Sequence, residues 1–437
     1  MEEAVGVGLI LVALFFVFTS LLSWRWAAAF LLPLSILDLH LFIPVEIPLE
    51  PGVTIHGGDV FFVPLAVSTL IRLFSLRRLG GMMWLWLLLA AYMALSFVHG
   101  VFSYGLFAAA ASYRATLYLS VGVLYFATFD YSRDRGREVL NLTIMTGLVL
   151  VLCALVAWMV PDWRPVDNAS FVLATHTYER NRVLPAQAAL FIALAAFATL
   201  PFWLKASGEL ARRLATLPLM ATAVFLFHRS VWVTLSVGIL AIVATSGQRA
   251  IRALLVIQGV VLVMILFWVL LVALDLDVLS DPMRTAVIEV ADTSASSLDW
   301  RIQGWRILVE RAIAEGPMTI LFGAGFGIGF ERTIAGSYVV ASPHNYYVEL
   351  FLTSGLVGCA LFLLVNVALI LSMLRLVRWT RQPEPQALVA ILLGLLVYGV
   401  SYSPQYDGAM LMGLALTLSP RARVWYPQRR VQALIPS

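Results

Sequence analysis

Charge is scarce in this sequence. Only 12% of its 437 residues are Asp, Glu, Lys or Arg, and Lys205 is the only lysine. A mean hydropathy of +0.91 with 61% hydrophobic residues excludes an ordinary soluble globular domain. Cysteine is scarce too. Cys153 and Cys359 both fall inside apolar runs, which excludes a disulfide framework and argues against a thiolate metal site. No Lys-Ser/Thr follows the glycines of Phe322–Gly329 and no predicted strand precedes them, so they are not a nucleotide loop. The start, Met1-Glu2-Glu3, is acidic and lacks the basic beginning of a signal peptide, so the first apolar run is read as a retained span. No repeat of 20–50 residues and no low-complexity tract stands out.

Long apolar runs are abundant instead. Runs of about 17–25 residues suit helices that cross a bilayer. Candidate spans are 4–22, 26–43, 59–75, 82–99, 106–129, 139–160, 185–203, 214–228, 231–246, 253–274, 346–373, 387–403 and 408–420. The predicted fold class is therefore all-α, a polytopic integral membrane protein with 12 or 13 crossings. Strands of a membrane β-barrel would be about ten residues long and alternating, which excludes that architecture.

Arginines in short loops set the expected orientation. Arg25, Arg77, Arg78, Arg133, Arg135, Arg137, Arg212, Arg213, Arg249, Arg252, Arg375, Arg378 and Arg381 fall in alternate loops and are assigned to the cytoplasm. Residues 44–58, 161–185 and 228–230 then face outward. So does the longest polar stretch, from Asp275 to Pro343. The predicted organisation is a transmembrane bundle over 1–274, a large outer loop over 275–345, C-terminal transmembrane helices over 346–420 and a basic cytoplasmic tail over 421–437.

Within the outer loop, Ser296 and Asp299 resemble a capping box. Ile302, Trp305, Leu308, Val309 and Ala312 recur at helical spacing until Gly316-Pro317, which predicts an amphipathic helix on or near the membrane surface. The loop ends at Ser342-Pro343-His344-Asn345-Tyr346-Tyr347. Pro343 biases the preceding residue towards an extended backbone, so the next helix is expected to start just after it, with His344 and Asn345 in its first turn.

The outer side keeps ten arginines despite the preference for positive charge inside: Arg114, Arg164, Arg180, Arg182, Arg229, Arg284, Arg301, Arg306, Arg311 and Arg332. An arginine at the bilayer centre costs roughly 2.5–3.5 kcal/mol, so an anionic outer partner is implied. A guanidinium fork donates two parallel hydrogen bonds to phosphate. Arg229, between two apolar runs, is either a tight turn with a snorkelling side chain or a grip on phosphate. Arg182 and Arg301 carry the same two readings, lipid head groups or a bound diphosphate. Arg114 lies within an apolar run and ranks lower. Asp275 and Asp277 are either a solvated helix end or a weak cation site. His344 is the candidate base, because histidine titrates near neutral pH and can take a proton from a hydroxyl. Asn345, Tyr346, Tyr347 and Glu349 surround it in sequence.

These residues resemble the bacterial O-antigen ligase and O-antigen polymerase superfamily. The resemblance rests on Arg301 with Trp305, on Leu321–Gly327, and on His344-Asn345 followed at family spacing by Gly355 and Gly358. It implies a metal-independent, inverting glycosyltransferase of the bacterial inner membrane, with its active site facing the periplasm or exterior. The implied donor is a glycan on undecaprenyl diphosphate, and no cofactor is implied. The implied acceptor is another glycan or lipid A-core. His344 would then activate the acceptor hydroxyl with Asn345 in support, and Arg182, Arg229 and Arg301 would bind the diphosphate. A polymerase extending lipid-linked repeats is the first expectation, with a chain-length regulator as possible partner. A ligase comes second, and a protein O-oligosaccharyltransferase or a transporter of an anionic substrate follows. Membrane lipids are expected partners; nucleic acid is not.

Overall fold

The computed structural model describes residues 19, 23, 25, 46–50, 53–75, 80–129, 133–160, 171–173, 176–178, 183–203, 210–226, 228–247, 258, 297–334, 336–403 and 408–419. The expected spans 4–22, 26–43 and 253–274 therefore lie outside the described residues almost entirely. Each of the other ten expected spans is a helix. These are α1 (Gly57–Ser75), α2 (Gly81–Tyr104), α3 (Leu106–Ala127), α4 (Arg133–Met159), α5 (Ala186–Trp203), α6 (Leu210–Phe225), α7 (Arg229–Thr245), and, after the loop domain, α10 (Tyr346–Thr380), α11 (Pro383–Tyr398) and α12 (Ala409–Leu418). The predicted surface helix is α8 (Ser297–Ala314), followed by the short α9 (Pro317–Phe322). The protein is an all-α polytopic membrane protein. Five of these helices are long and apolar enough to cross a membrane. Three small antiparallel hairpins add to this: β1 (Glu46–Glu50) with β2 (Val53–His56), β3 (Phe171–Leu173) with β4 (His176–Tyr178), and β5 (Arg332–Ile334) with β6 (Ser337–Val339). Each falls in a segment expected to face outward.

Helix α5 is the centre. It is alanine-rich and buried along most of its length, among α4, α6, α7 and α11. Small residues let backbones approach in an apolar medium, where packing rather than hydrophobicity drives association. Phe197 of α5 accordingly fills the space left by Gly238 of α7 and Gly394 of α11, and Ala195 lies against Gly147 of α4.

Helices α7 and α11 run antiparallel. Gln386, near the start of α11, donates to the Ile242 carbonyl and to Ser246 at the end of α7, each at 2.8 Å. Gly394 lies level with Thr234. The same register brings the first residues of α7 to the end of α11, where Tyr398 leads into Tyr402. Arg229 and Tyr346 therefore belong to one end of the bundle. Arg137, Glu384 and Ser246 belong to the other.

The loop domain rests on the His344 end through a second small core of Leu308, Ala312, Ala324, Ile328 and Leu352. The apolar stripe of α8 is thus turned to protein: Leu308 and Ala312 are fully buried, while Ile302 is half exposed.

Candidate active site

The His344 turn is assembled from three parts of the chain. The first is the start of α10. Asn345 is its N-cap: the side-chain oxygen accepts from the backbone N–H of Tyr347 at 3.0 Å and of Val348 at 3.2 Å. A capping residue needs an extended backbone outside the helix, and Asn345 has φ −150° and ψ 109°. The helix therefore begins at Tyr346, one to two residues later than the proline suggested, and His344 precedes it instead of lying in its first turn. His344 takes φ 51°, which is uncommon for a residue with a side chain.

The second part is α8. Trp305 donates its indole N–H to the Pro343 carbonyl at 2.7 Å. Arg301 lies four residues earlier on the same helix face, with its guanidinium 5.6 Å from the centre of the Tyr402 ring.

The third part is the segment after α11. Tyr402 meets His344 edge to face at 5.7 Å and stacks on Tyr398 at 5.3 Å. Tyr402 is thus the surface on which Arg301 and His344 converge. It lies beyond the motifs that carried the sequence reading, 58 residues after His344 in number but on the next helix hairpin in space.

A backbone lock holds α10 in place. Gly355 has φ 65° and ψ −167°, so it interrupts the helix after its first nine residues. Such a break orphans backbone carbonyls. The glycine run after α9 fills the gap. Ala324 N–H donates to Leu352 O at 2.8 Å and Gly325 N–H to Thr353 O at 3.0 Å. From α2, Ser96 donates to Thr353 O at 2.6 Å and Tyr92 to Ser354 O at 2.8 Å. A side chain at Gly355 would collide with the Leu321 backbone, and one at Gly323 with Thr353 and Ser354. The first glycines between Phe322 and His344 are thus packed and hydrogen-bonded tightly against the break in α10.

Other arginines have protein partners. Arg114 of α3 pairs with Asp59 of α1 at 3.4 Å. Arg306 pairs with Glu310 one turn on at 2.7 Å. Arg311 bonds the Gly329 and Glu331 carbonyls at 2.6 and 3.2 Å. Arg332 is buried, donates to the Phe330 and Ala341 carbonyls, both at 2.7 Å, and sits 5.7 Å from the Trp300 ring. Burial, and secondarily the Arg311 charge, hold its guanidinium below the usual arginine range. Arg332 therefore closes the β5–β6 hairpin onto the irregular segment leading to His344.

Arg229 is the first residue of α7. The preceding His228 is buried and bonds the Leu184 carbonyl through Nε2 at 2.9 Å, tying this turn to the segment before α5. Arg229 shares the His344 end of the bundle through the α7–α11 register. Arg182 lies outside the described residues, as do Arg164, Arg180, Arg284, Asp275, Asp277 and Ser296.

A family model described as O-antigen ligase matches residues 214–363. Over those residues the chain is similar to the O-antigen ligase/polymerase superfamily. The match covers about a third of the chain, from α6 to the first part of α10, and includes Arg229, Arg301, His344, Gly355 and Gly358. It stops before Tyr402. No curated protein matches the chain. The superfamily supports an enzyme of the O-antigen ligase or polymerase type, glycosyltransferase-like, acting on lipid-linked glycan and acceptor substrates in general.

Proposed function

We propose that the protein transfers a glycan from undecaprenyl diphosphate to an acceptor hydroxyl, on the outer face of the bacterial inner membrane. The observation that carries this reading is the convergence of Arg301 and His344 on Tyr402, inside a match to the O-antigen ligase family. In this scheme the acceptor oxygen attacks the anomeric carbon and the bond from that carbon to the diphosphate oxygen breaks. The diphosphate leaves with the electron pair. His344 takes the acceptor proton, and the configuration at carbon inverts. Arg301 lies close enough to the same ring to stabilise charge growing on the leaving group, which is the kind of preorganised help that lowers such barriers. Arg229 at the same end, and Arg182 by its place in the sequence, are proposed to hold the diphosphate; Asn345 supports the site by fixing the start of α10. The reaction as written moves one proton and needs no metal.

The preferred acceptor is a second lipid-linked repeat, which makes the enzyme a polymerase, with a chain-length regulator as its partner. The second reading, transfer to lipid A-core, is favoured by the description of the matched family as a ligase. The test is the full chain in proteoliposomes with undecaprenyl-diphosphate-linked glycan. His344→Ala is expected to abolish transfer, and wild-type transfer by that variant would overturn the assignment. Growing chains on undecaprenyl diphosphate identify a polymerase; glycan on added lipid A-core identifies a ligase. Movement of intact donor across the vesicle without transfer would identify a transporter.

A further inference from the structure

Glu349 is the fourth residue of α10 and carries a carboxylate that the reaction above does not use. Its two oxygens have separate partners. The Ser342 hydroxyl donates to one and the Ser403 hydroxyl to the other. Ser342 Oγ also accepts from the His344 backbone N–H at 3.2 Å. Ser403 follows Tyr402 directly in the chain. Among the described residues Glu349 has no cationic partner. A partly buried carboxylate is expected to be hydrogen-bonded, and here both bonds go to the two segments that build the site.

We propose that Glu349 is a positioning residue that clamps the His344 turn to the Tyr402 segment. The proposal rests on the glycosyl-transfer reading of His344. Several observations converge on it. His344 has a left-handed backbone, φ 51°, which persists only where the surroundings hold it. Ser342 is the hydroxyl that bonds its N–H, and Glu349 fixes Ser342. The other arm fixes Ser403, hence the Tyr402 ring against which both His344 and Arg301 lie. Glu349 is itself anchored: its N–H donates to Asn345 O at 3.0 Å, and its carbonyl accepts from Thr353 Oγ1 at 2.8 Å. Thr353 belongs to the backbone lock at Gly355. One rigid turn of α10 therefore sets the separation of His344 from the aromatic surface opposite it.

The competing role is a proton acceptor, with Glu349 taking the acceptor proton instead of His344. Glutamine separates the two. A Gln side chain accepts from one serine through its oxygen and donates to the other through its amide, so it keeps both arms of the clamp, but it cannot act as a base. In proteoliposomes with undecaprenyl-diphosphate-linked glycan, Glu349→Ala is expected to lower kcat about a hundredfold, the scale of a 1 Å misplacement, with the donor KM little changed. Glu349→Gln is expected to recover most of that loss. Adding Ser342→Ala to Glu349→Ala is expected to cost little more, because the two act as one unit.

Wild-type kcat in Glu349→Ala overturns the proposal, and so does a Gln variant as slow as the Ala variant. If Glu349→Ala does not fold, Ser342→Ala and Ser403→Ala decide: wild-type kcat in both overturns the clamp, and a drop in kcat at constant KM supports it. His344→Ala separates the two levels of inference. Wild-type transfer by His344→Ala removes the reaction assignment and the proposal together. Loss in His344→Ala with wild-type transfer in Glu349→Ala removes the proposal alone.

Discussion

Arg301, at the His344 end, is used differently from the arginines at the opposite end of the bundle. At the end away from His344, Arg25 binds Glu138 through two nitrogens at 2.7–3.0 Å, and Arg137 pairs with the buried Glu384. Arg212 bonds Asn141, and Arg72 bonds Thr128 with its guanidinium 3.6 Å over Phe129. There, arginine ties helices together, and the pairs that involve carboxylates are neutral. At the His344 end, Arg301 lies on an aromatic face and, among the described residues, has no carboxylate partner. An aromatic face attracts a guanidinium without cancelling its charge. The far end uses arginine to close the structure, whereas Arg301 leaves positive charge beside the candidate base. That is the arrangement the proposed diphosphate donor would require.

The sharpest way to break this comparison is to exchange outcomes. Arg301→Ala is expected to lower kcat/KM with undecaprenyl-diphosphate-linked glycan by about 10²–10³-fold, the scale of losing one preorganised donor, while the melting temperature in detergent stays near wild type. Unchanged kcat/KM would return Arg301 to a merely structural role. Gly355→Ala tests the lock behind the site. Its backbone falls in a region essentially reserved for glycine, at a cost of order 1–3 kcal/mol, and the added methyl meets the Leu321 backbone. A marked drop in melting temperature with loss of transfer is expected; a fully stable, active variant would show that the kink relaxes freely.

Arg137→Ala is the counterpart of Arg301→Ala. It strands the buried Glu384 carboxylate and is expected to lower stability by about 1.5–3 kcal/mol, the range for a hydrogen bond to a charged group. Specific activity of the folded fraction should hold. A fall in kcat with unchanged stability would erase the distinction between the two ends. The smallest effect is expected from Arg306→Ala. Its pair with Glu310 is exposed, so solvent and salt screen it and it contributes little. Melting and transfer should both be nearly unaltered, although Arg306 is only five residues from Arg301.

Much of the helical framework was legible because a bilayer imposes one rule: backbone polar groups must be satisfied within the segment. Apolar runs therefore translate into helices, and ten expected spans are helices. Pro343 marked the start of α10 to within two residues, whereas Asn345, expected in the first turn, is the cap before it. The glycines at 355 and 358 were legible as a pattern but not as a mechanism. The break at Gly355 frees the carbonyls of Leu352, Thr353 and Ser354, which are bonded by residues 28 positions upstream and by α2. The exposure of Ile302 and the burial of Arg332 were equally unreadable, because a helical stripe does not say whether protein or lipid will cover it.

The sequence by itself determined that this is a polytopic helical membrane protein, which runs form its described membrane helices, and which histidine stands at the mouth of one of them. Those are properties of contiguous residues, set by hydropathy, proline and capping chemistry. The tertiary structure alone decided that Arg301 and His344 meet on Tyr402, and that Glu349 bonds a serine on either side of them. Such contacts depend on helices folding back on one another, and the packing of small residues around α5 fixes how they do so.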